Sequence, residues 1–103
     1  MTNLSNAAKS SWLVLDGQTP GSASITNAAS EVLPRNPQRR GLILTNRSAT
    51  EIFIAIGETA QASKGIVLGL NGSLVMNADF LSTEAISIVT ASGASTVTYQ
   101  EFH

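Results

Sequence analysis

Cysteine is absent from this chain, and its one histidine, His103, is the last of 103 residues. Without cysteine there can be no disulfide, no thiolate nucleophile and no cysteine-ligated zinc. Because chain termini fray by default, a terminal histidine makes a poor general base. The carboxylates are scattered, with no spacing typical of a glycosidase pair or a calcium loop. The sequence therefore predicts a protein that is not an enzyme, with no metal, no cofactor and no small-molecule substrate.

Charge is scarce as well, since charged residues make up 13% of the chain and the formal net charge is -1. A protein that binds by neutralising phosphates needs a surplus of Lys and Arg, so nucleic acid is not a predicted partner. The chain has no run of about 18 apolar residues, so no membrane contact is predicted. The stretch MTNLSNAAKSS has no apolar run like that of a signal peptide. We therefore expect a protein that is made in a cytoplasm.

What the sequence does contain is a succession of short apolar segments separated by turn-forming residues. None of them keeps a helical period of 3.6 residues, and the rhythm is typical of β structure. The predicted strands are 12–15, 23–26, 30–33, 41–45, 51–56, 65–68, 73–76, 85–90 and 96–101. This pattern predicts an all-β fold: a single-domain β-sandwich or jelly roll over residues 12–103, with a small barrel as the alternative. Residues 1–11 have no pattern and are predicted to form a flexible N-terminal arm.

Four segments are predicted to separate strands. DGQTPG and ASGAS supply glycine for turns, and LNGS contains Asn71 and Gly72, the pair that most readily forms a tight hairpin turn. In LPRNPQ, the two prolines remove backbone donors and favour extended geometry in the residues before them. LPRNPQ is therefore predicted to be a rigid loop that crosses from one sheet to the other.

Some of the central strands are apolar at consecutive positions, whereas a sandwich strand normally alternates. The alternation leaves Ile43, Phe53 and, as a further candidate, Val67 on a second apolar face that needs a cover. Leu4 and Trp12 of the N-terminal part are candidates for that cover, and so is another copy of the chain. We therefore predict a homo-oligomer, and the alternative is a barrel whose curvature buries both faces.

All four arginines, Arg35, Arg39, Arg40 and Arg47, lie within or beside the segment NPQRRGLILTNRS. Adjacent residues of an extended chain point to opposite faces, so Arg39 and Arg40 are not expected to bind one anion together. They are predicted to combine two roles, guarding an aggregation-prone strand and forming ion pairs across an interface. Because other charges are few, at least one arginine is predicted to pair with a carboxylate of a neighbouring chain.

The segments EVLPRNPQRRGLILTNRSATEIFIAIG, ASKGIVLGLNGSLVM and ISIVTASGASTVTYQE together resemble small structural proteins of tailed-bacteriophage virions. The shared pattern is an N-P-x-R loop, an aliphatic strand ending in Asn and Ser, a strand ending in Gly, G-I-x-L, a glycine turn and a closing hairpin. It spans residues 31–101, and its most particular part is the run Arg40, Leu42, Leu44, Asn46 and Ser48.

This resemblance implies a capsid decoration (cement) protein, located in the virion and assembled in the host cytoplasm, with the major capsid protein as partner. The alternatives are a head-fibre or tail component, or a receptor- or carbohydrate-binding β module that exposes Trp12 or Tyr99. The residues predicted to make the arm, oligomer and capsid contacts are Leu4, Trp12, Arg35, Arg39, Arg40, Ile43, Arg47 and Phe53.

Overall fold

The computed structural model describes residues 18–103, which form eight β-strands and no helix. The strands are β1 (Gln18–Ile25), β2 (Ser30–Leu33), β3 (Gly41–Asn46), β4 (Ile52–Ile56), β5 (Ile66–Leu68), β6 (Ser73–Met76), β7 (Ile86–Val89) and β8 (Ser95–Phe102). They build two packed antiparallel sheets, so the predicted all-β sandwich is confirmed. The predicted arm, the strand at 12–15 and the domain boundary at residue 12 lie outside the described residues.

The strand order identifies the kind of sandwich. Sheet A has the order β1-β8-β3-β6 and sheet B the order β2-β7-β4-β5. The first strand pairs with the eighth, the second with the seventh, the third with the sixth and the fourth with the fifth. This nested pairing, as of one long hairpin wrapped into two sheets, is a jelly roll.

Among these strands, only β4 and β5 follow each other within one sheet, and every other connection crosses between the sheets. The segment LPRNPQ crosses from β2 to β3, as predicted. The turn at Asn71 and Gly72 joins β5 to β6, and the turn at Gly93 joins β7 to β8, so both also cross. The prediction that these two turns close hairpins is therefore wrong, because the strands they connect pair with other partners.

The segment around Pro20 and Gly21 is part of β1, although the sequence predicted a turn there. A proline is tolerated in β1 because this strand lies at the edge of its sheet. Gly21 lies opposite Tyr99, whose ring lies within 2.5 Å of the position that a Cβ atom would occupy. Glycine therefore makes room for an aromatic ring that packs inward against the core.

The core between the sheets is built from alternate positions of the strands. In β3, Leu42 and Leu44 are fully buried whereas Ile43 between them is exposed. Burying each large apolar side chain contributes roughly 1.5 to 3 kcal/mol. The core residues are Ile25, Leu33, Leu42, Leu44, Ile52, Ile54, Leu68, Leu74, Met76, Ile86, Ile88 and Val97.

The registers place the connections at two ends of the sandwich. At one end lie the long connections 34–40, 57–65 and 77–85, together with the start of β1 and the end of β8, which pair as Gln18 with Phe102. We call this the loop end. At the other end lie the shorter connections 26–29, 47–51, 69–72 and 90–94, which we call the turn end.

Replacing Gly65 with alanine is expected to lower the free energy of unfolding by about 1 to 3 kcal/mol. Gly65 has a φ of +83°, and an added Cβ atom would collide with the backbone carbonyl oxygen of Ile54. Gly69→Ala is the matched control, because nothing lies within 4 Å of that Cβ position. Urea unfolding of the two variants checks this prediction, and equal stabilities would contradict it.

Candidate functional site

The structure places the residues that the sequence predicted to make arm, oligomer and capsid contacts in separate parts of the molecule. Arg35, Arg39 and Arg40 lie at the loop end, and Arg47 lies at the turn end. Ile43 and Phe53 belong to β3 and β4, so they lie on the outer faces of different sheets. The prediction that Ile43 and Phe53 share a second apolar face is therefore wrong. Leu4 and Trp12 lie outside the described residues.

Arg39 is buried, with its side chain 0% exposed, and it pairs within its own chain. Its Nε donates to Glu101 Oε2 at 2.7 Å. Its Nη1 donates to the carbonyl oxygens of Ser82 at 2.9 Å and Glu84 at 2.8 Å, and its Nη2 donates to that of Pro34 at 3.1 Å. The interface role predicted for Arg39 is therefore corrected, because a side chain enclosed in this way cannot reach another chain.

This arrangement, which we call the Arg39 clamp, ties together three separate parts of the loop end. The guanidinium joins the connection 34–40 to the connection 77–85 and to Glu101 of β8. Asn36 adds a backbone hydrogen bond to the carbonyl of Thr83 at 2.8 Å. Planar guanidinium geometry suits several fixed acceptors at once, which an ammonium group does not. The clamp therefore fixes the shape of the loop end.

The other three arginines are exposed. Arg40, next to Arg39, points away from the core, as expected for adjacent residues in extended chain. Arg35 Nε lies 3.4 Å from Glu84 Oε1, with both side chains more than half exposed, and such a pair adds little stability. Arg47 Nη1 donates to Asn71 Oδ1 at 3.2 Å at the turn end.

Asn46, at the end of β3, organises the turn end in the way that Arg39 organises the loop end. It is fully buried, and its Nδ2 donates to the carbonyl oxygens of Thr50 at 2.9 Å and Leu68 at 3.0 Å. Its Oδ1 accepts from the backbone N–H of Ser48 at 3.1 Å and from Ser95 Oγ at 2.7 Å. All the hydrogen-bonding capacity of the amide is used.

Sequence reasoning assigned no contact to Asn46 and did not identify Glu101 as the partner of Arg39. A signal for Glu101 existed, because the alternation of β8 puts it on the same face as Val97 and Tyr99. An acidic residue in register with core residues needs a cationic partner. The signal for Asn46 was an amide at the end of a buried aliphatic strand.

The outer face of sheet A, which we call the open face, carries exposed apolar and hydroxyl side chains. Ile43 and Val75 are 44% and 49% exposed and lie opposite each other on neighbouring strands. From residue 20 onward, none of the outward-facing side chains of the strands of sheet A is charged. They are Pro20, Ser22 and Ser24 of β1, Ile43 and Thr45 of β3, Ser73 and Val75 of β6, and Thr96, Thr98, Gln100 and Phe102 of β8.

The outer face of sheet B is different, because part of the chain folds against it. The backbone N–H of Ala60, in the connection 57–65, donates to Ser87 Oγ at 2.9 Å, and both residues are buried. Phe53 is half-buried, and Val67 at the sheet edge is 50% exposed. The chain therefore covers sheet B in part from within.

The loop end exposes two large apolar side chains, Phe80 and Leu81, which are 46% and 42% exposed. Phe80 sits in an ordered turn, because backbone hydrogen bonds join it to Asn77 in both directions at 2.9 and 3.2 Å. The backbone N–H of Asp79 also donates to Asn77 Oδ1 at 2.9 Å. The turn end exposes Leu70, which is 58% accessible. The loop end thus presents apolar side chains from a fixed backbone.

Tyr99 faces inward and is partly buried against the core, so it is not the exposed sugar-stacking ring of the carbohydrate-binding alternative. Within residues 18–103, no group of three or more His, Cys, Asp or Glu side chains is placed to hold a metal ion. In the same part of the chain, no helix is long and apolar enough to cross a membrane.

Comparison with known proteins identifies no relative of this chain. No protein-family model, no curated protein and no solved structure matches it.

Proposed function

We propose that this chain is a non-enzymatic structural protein of a tailed-phage virion, a capsid decoration protein that binds and stabilises the lattice of the major capsid protein. The loop end makes the contact. The observation that carries the proposal is the pair of exposed apolar side chains, Phe80 and Leu81, at the same end of the sandwich as the exposed Arg35 and Arg40. The Arg39 clamp makes this end rigid.

The composition of the loop end supports this assignment. Aromatic residues and arginine are over-represented among the residues that contribute most of the binding energy of protein interfaces. Arg35 and Arg40 are exposed at the loop end, on the same connection as the clamped Arg39. The start of β1 and the end of β8 lie at this end as well. A rigid surface of this composition is suited to contact a neighbouring subunit of a lattice.

Rigidity supports the assignment on energetic grounds. A loop that must be ordered on binding loses affinity, whereas a surface that is ordered beforehand does not. In this chain, four hydrogen bonds from one buried arginine order the connections 34–40 and 77–85. The jelly-roll fold is compatible with this role, because it is common in viral capsid domains. Lectins share the fold, so the fold alone does not assign the function.

The proposal is tested by mixing the purified protein with particles assembled without it. We expect the protein to cosediment with the particles and to raise the temperature at which they release DNA. A protein that neither binds nor stabilises the particles would overturn the proposal.

Replacing Phe80 and Leu81 with serine is expected to weaken particle binding by about tenfold or more, as truncation of interface anchors does. Leu70→Ser is the matched control, since Leu70 is exposed to a similar degree but lies at the turn end. Cosedimentation titrations compare the variants, and circular dichroism verifies that each is folded. If Leu70→Ser weakened binding and the loop-end variant did not, the loop end would not be the contact surface.

A further inference from the structure

We propose that the open face binds the open face of a second copy of this chain, with a two-fold axis parallel to the strands. The inference goes beyond the particle role and does not depend on it, since self-association is measured with the purified protein alone. It concerns a different surface from the loop end.

The charge pattern of the open face favours contact with a second copy. In a two-fold contact, both partners contribute the same surface patch. A patch with charges of one sign would therefore face the same charges on its partner and be repelled. The open face contains no charged side chain among the described strands of sheet A. Its threonine and serine hydroxyls both donate and accept hydrogen bonds, so each can pair with an identical group. This surface is therefore compatible with itself.

The shape of the open face also favours contact with a second copy. Ile43 and Val75, directly opposite each other in the β3–β6 pair, form an apolar ridge on one half of the face. Next to this ridge, over β8, a shallow groove of about 340 Å³ runs between β1 and β3, and its outward-facing lining is Pro20, Ile43, Thr45, Thr98 and Gln100. One face thus carries both a ridge and a groove that can receive a ridge.

The strand order selects the axis. In the order β1-β8-β3-β6, an axis parallel to the strands between β8 and β3 brings the β3–β6 half of one copy over the β8–β1 half of the other. The ridge of each copy then enters the groove of its partner, with Ile43 over Gln100 and Val75 over Pro20. An axis in the interface plane but perpendicular to the strands would place ridge on ridge and leave both grooves empty.

The area predicts a weak dimer. Four strands spaced about 4.8 Å apart, with outward-facing segments about 20 Å long, give a face of roughly 400 Å² in projection. A standard interface buries about 800 Å² per partner, and smaller interfaces are typical of weak complexes. We therefore expect dissociation constants on the order of 0.1 to 1 mM, which become relevant where many copies are concentrated together.

Introducing a charge on the ridge tests the face. We expect sedimentation velocity to detect wild-type dimers in that concentration range, and Val75→Lys to weaken dimerisation at least about tenfold. Val67→Lys, equally exposed but on sheet B, should dimerise as the wild type does. A wild type that stays monomeric throughout this range, or a Val67→Lys variant that alone disrupts the dimer, would overturn the proposal.

Cross-linking tests the axis, and the absence of native cysteine makes single-cysteine variants clean reporters. Ser22 and Ser73 lie at opposite edges of one row across the open face, and stacked sheets lie about 10 Å apart. With a short bis-maleimide, we expect Ser22→Cys mixed with Ser73→Cys to give covalent dimers, and Ser73→Cys alone to give none. Efficient self-linking of Ser73→Cys would contradict the proposed axis.

Discussion

Replacing Arg39 with methionine is expected to lower the free energy of unfolding by about 3 to 5 kcal/mol, the usual effect of breaking a buried ion pair from one side. The variant leaves Glu101 buried without its cation and leaves the carbonyls of Pro34, Ser82 and Glu84 without this donor. Methionine keeps much of the volume, so the loss of polar contacts accounts for most of the effect. Urea unfolding followed by circular dichroism measures it.

Arg35→Met is the matched control for this prediction. The Arg35 side chain is 62% exposed, and its pairing with Glu84 is long, so its removal should change stability by less than about 0.5 kcal/mol. The double variant Arg39→Met with Glu101→Leu should recover part of the loss, because both charges are then removed. If Arg39→Met were as stable as Arg35→Met, the clamp would not hold the loop end together.

Replacing Asn46 with aspartate is expected to lower the free energy of unfolding by about 2 to 4 kcal/mol. The change keeps the shape of the side chain but replaces two donated hydrogen bonds with an oxygen that faces the carbonyl oxygens of Thr50 and Leu68. It also places a carboxyl group where the native residue is 0% exposed, and burial penalises the ionised form of such a group. Urea unfolding near neutral pH measures the loss.

Asn71→Asp controls for the same substitution at an exposed site of the turn end. Asn71 has a φ of 62°, which aspartate tolerates nearly as well as asparagine, and its side chain faces Arg47. Its stability should stay within about 0.5 kcal/mol of the wild type. If Asn46→Asp and Asn71→Asp lowered the free energy of unfolding equally, the structural role that we assign to the Asn46 amide would be contradicted.

Local patterns were sufficient to predict the strands. The bounds predicted at 30–33 and 73–76 agree with β2 and β6, and the remaining strands within residues 18–103 overlap their predictions. This succeeds because the alternation of polar and apolar residues within four to six residues is a local property. It failed at Pro20 and Gly21, since the room that Gly21 leaves is filled by Tyr99 from a distant strand.

Sheet membership could not be predicted in the same way. β3 and β4 are consecutive and similar in composition, yet β3 pairs with β6 and β8 whereas β4 pairs with β5 and β7. These partners are fixed by how the whole chain wraps, which no local pattern contains. For this reason, Ile43 and Phe53 looked like parts of one face but lie on opposite sides of the molecule.

The contacts of the arginines could not be predicted from local patterns either. The sequence indicated that Arg39 and Arg40 point apart, but not that Arg39 meets a carboxylate 62 positions further along the chain. The segment NPQRRGLILTN therefore places a clamp at one end of β3 and the Asn46 amide at the other. Arg39 and Asn46 are structural, and we assign the main contacts to apolar residues, Phe80 and Leu81 at the loop end and Ile43 and Val75 on the open face.

Hydrogen exchange of the full chain, free and bound to particles assembled without it, tests most directly that the loop end contacts the lattice. We predict that binding slows amide exchange in the connections 34–40 and 77–85, and leaves exchange in 69–72 and 90–94 unchanged. Slower exchange confined to the turn end, or particles that bind none of the protein, would contradict the proposal.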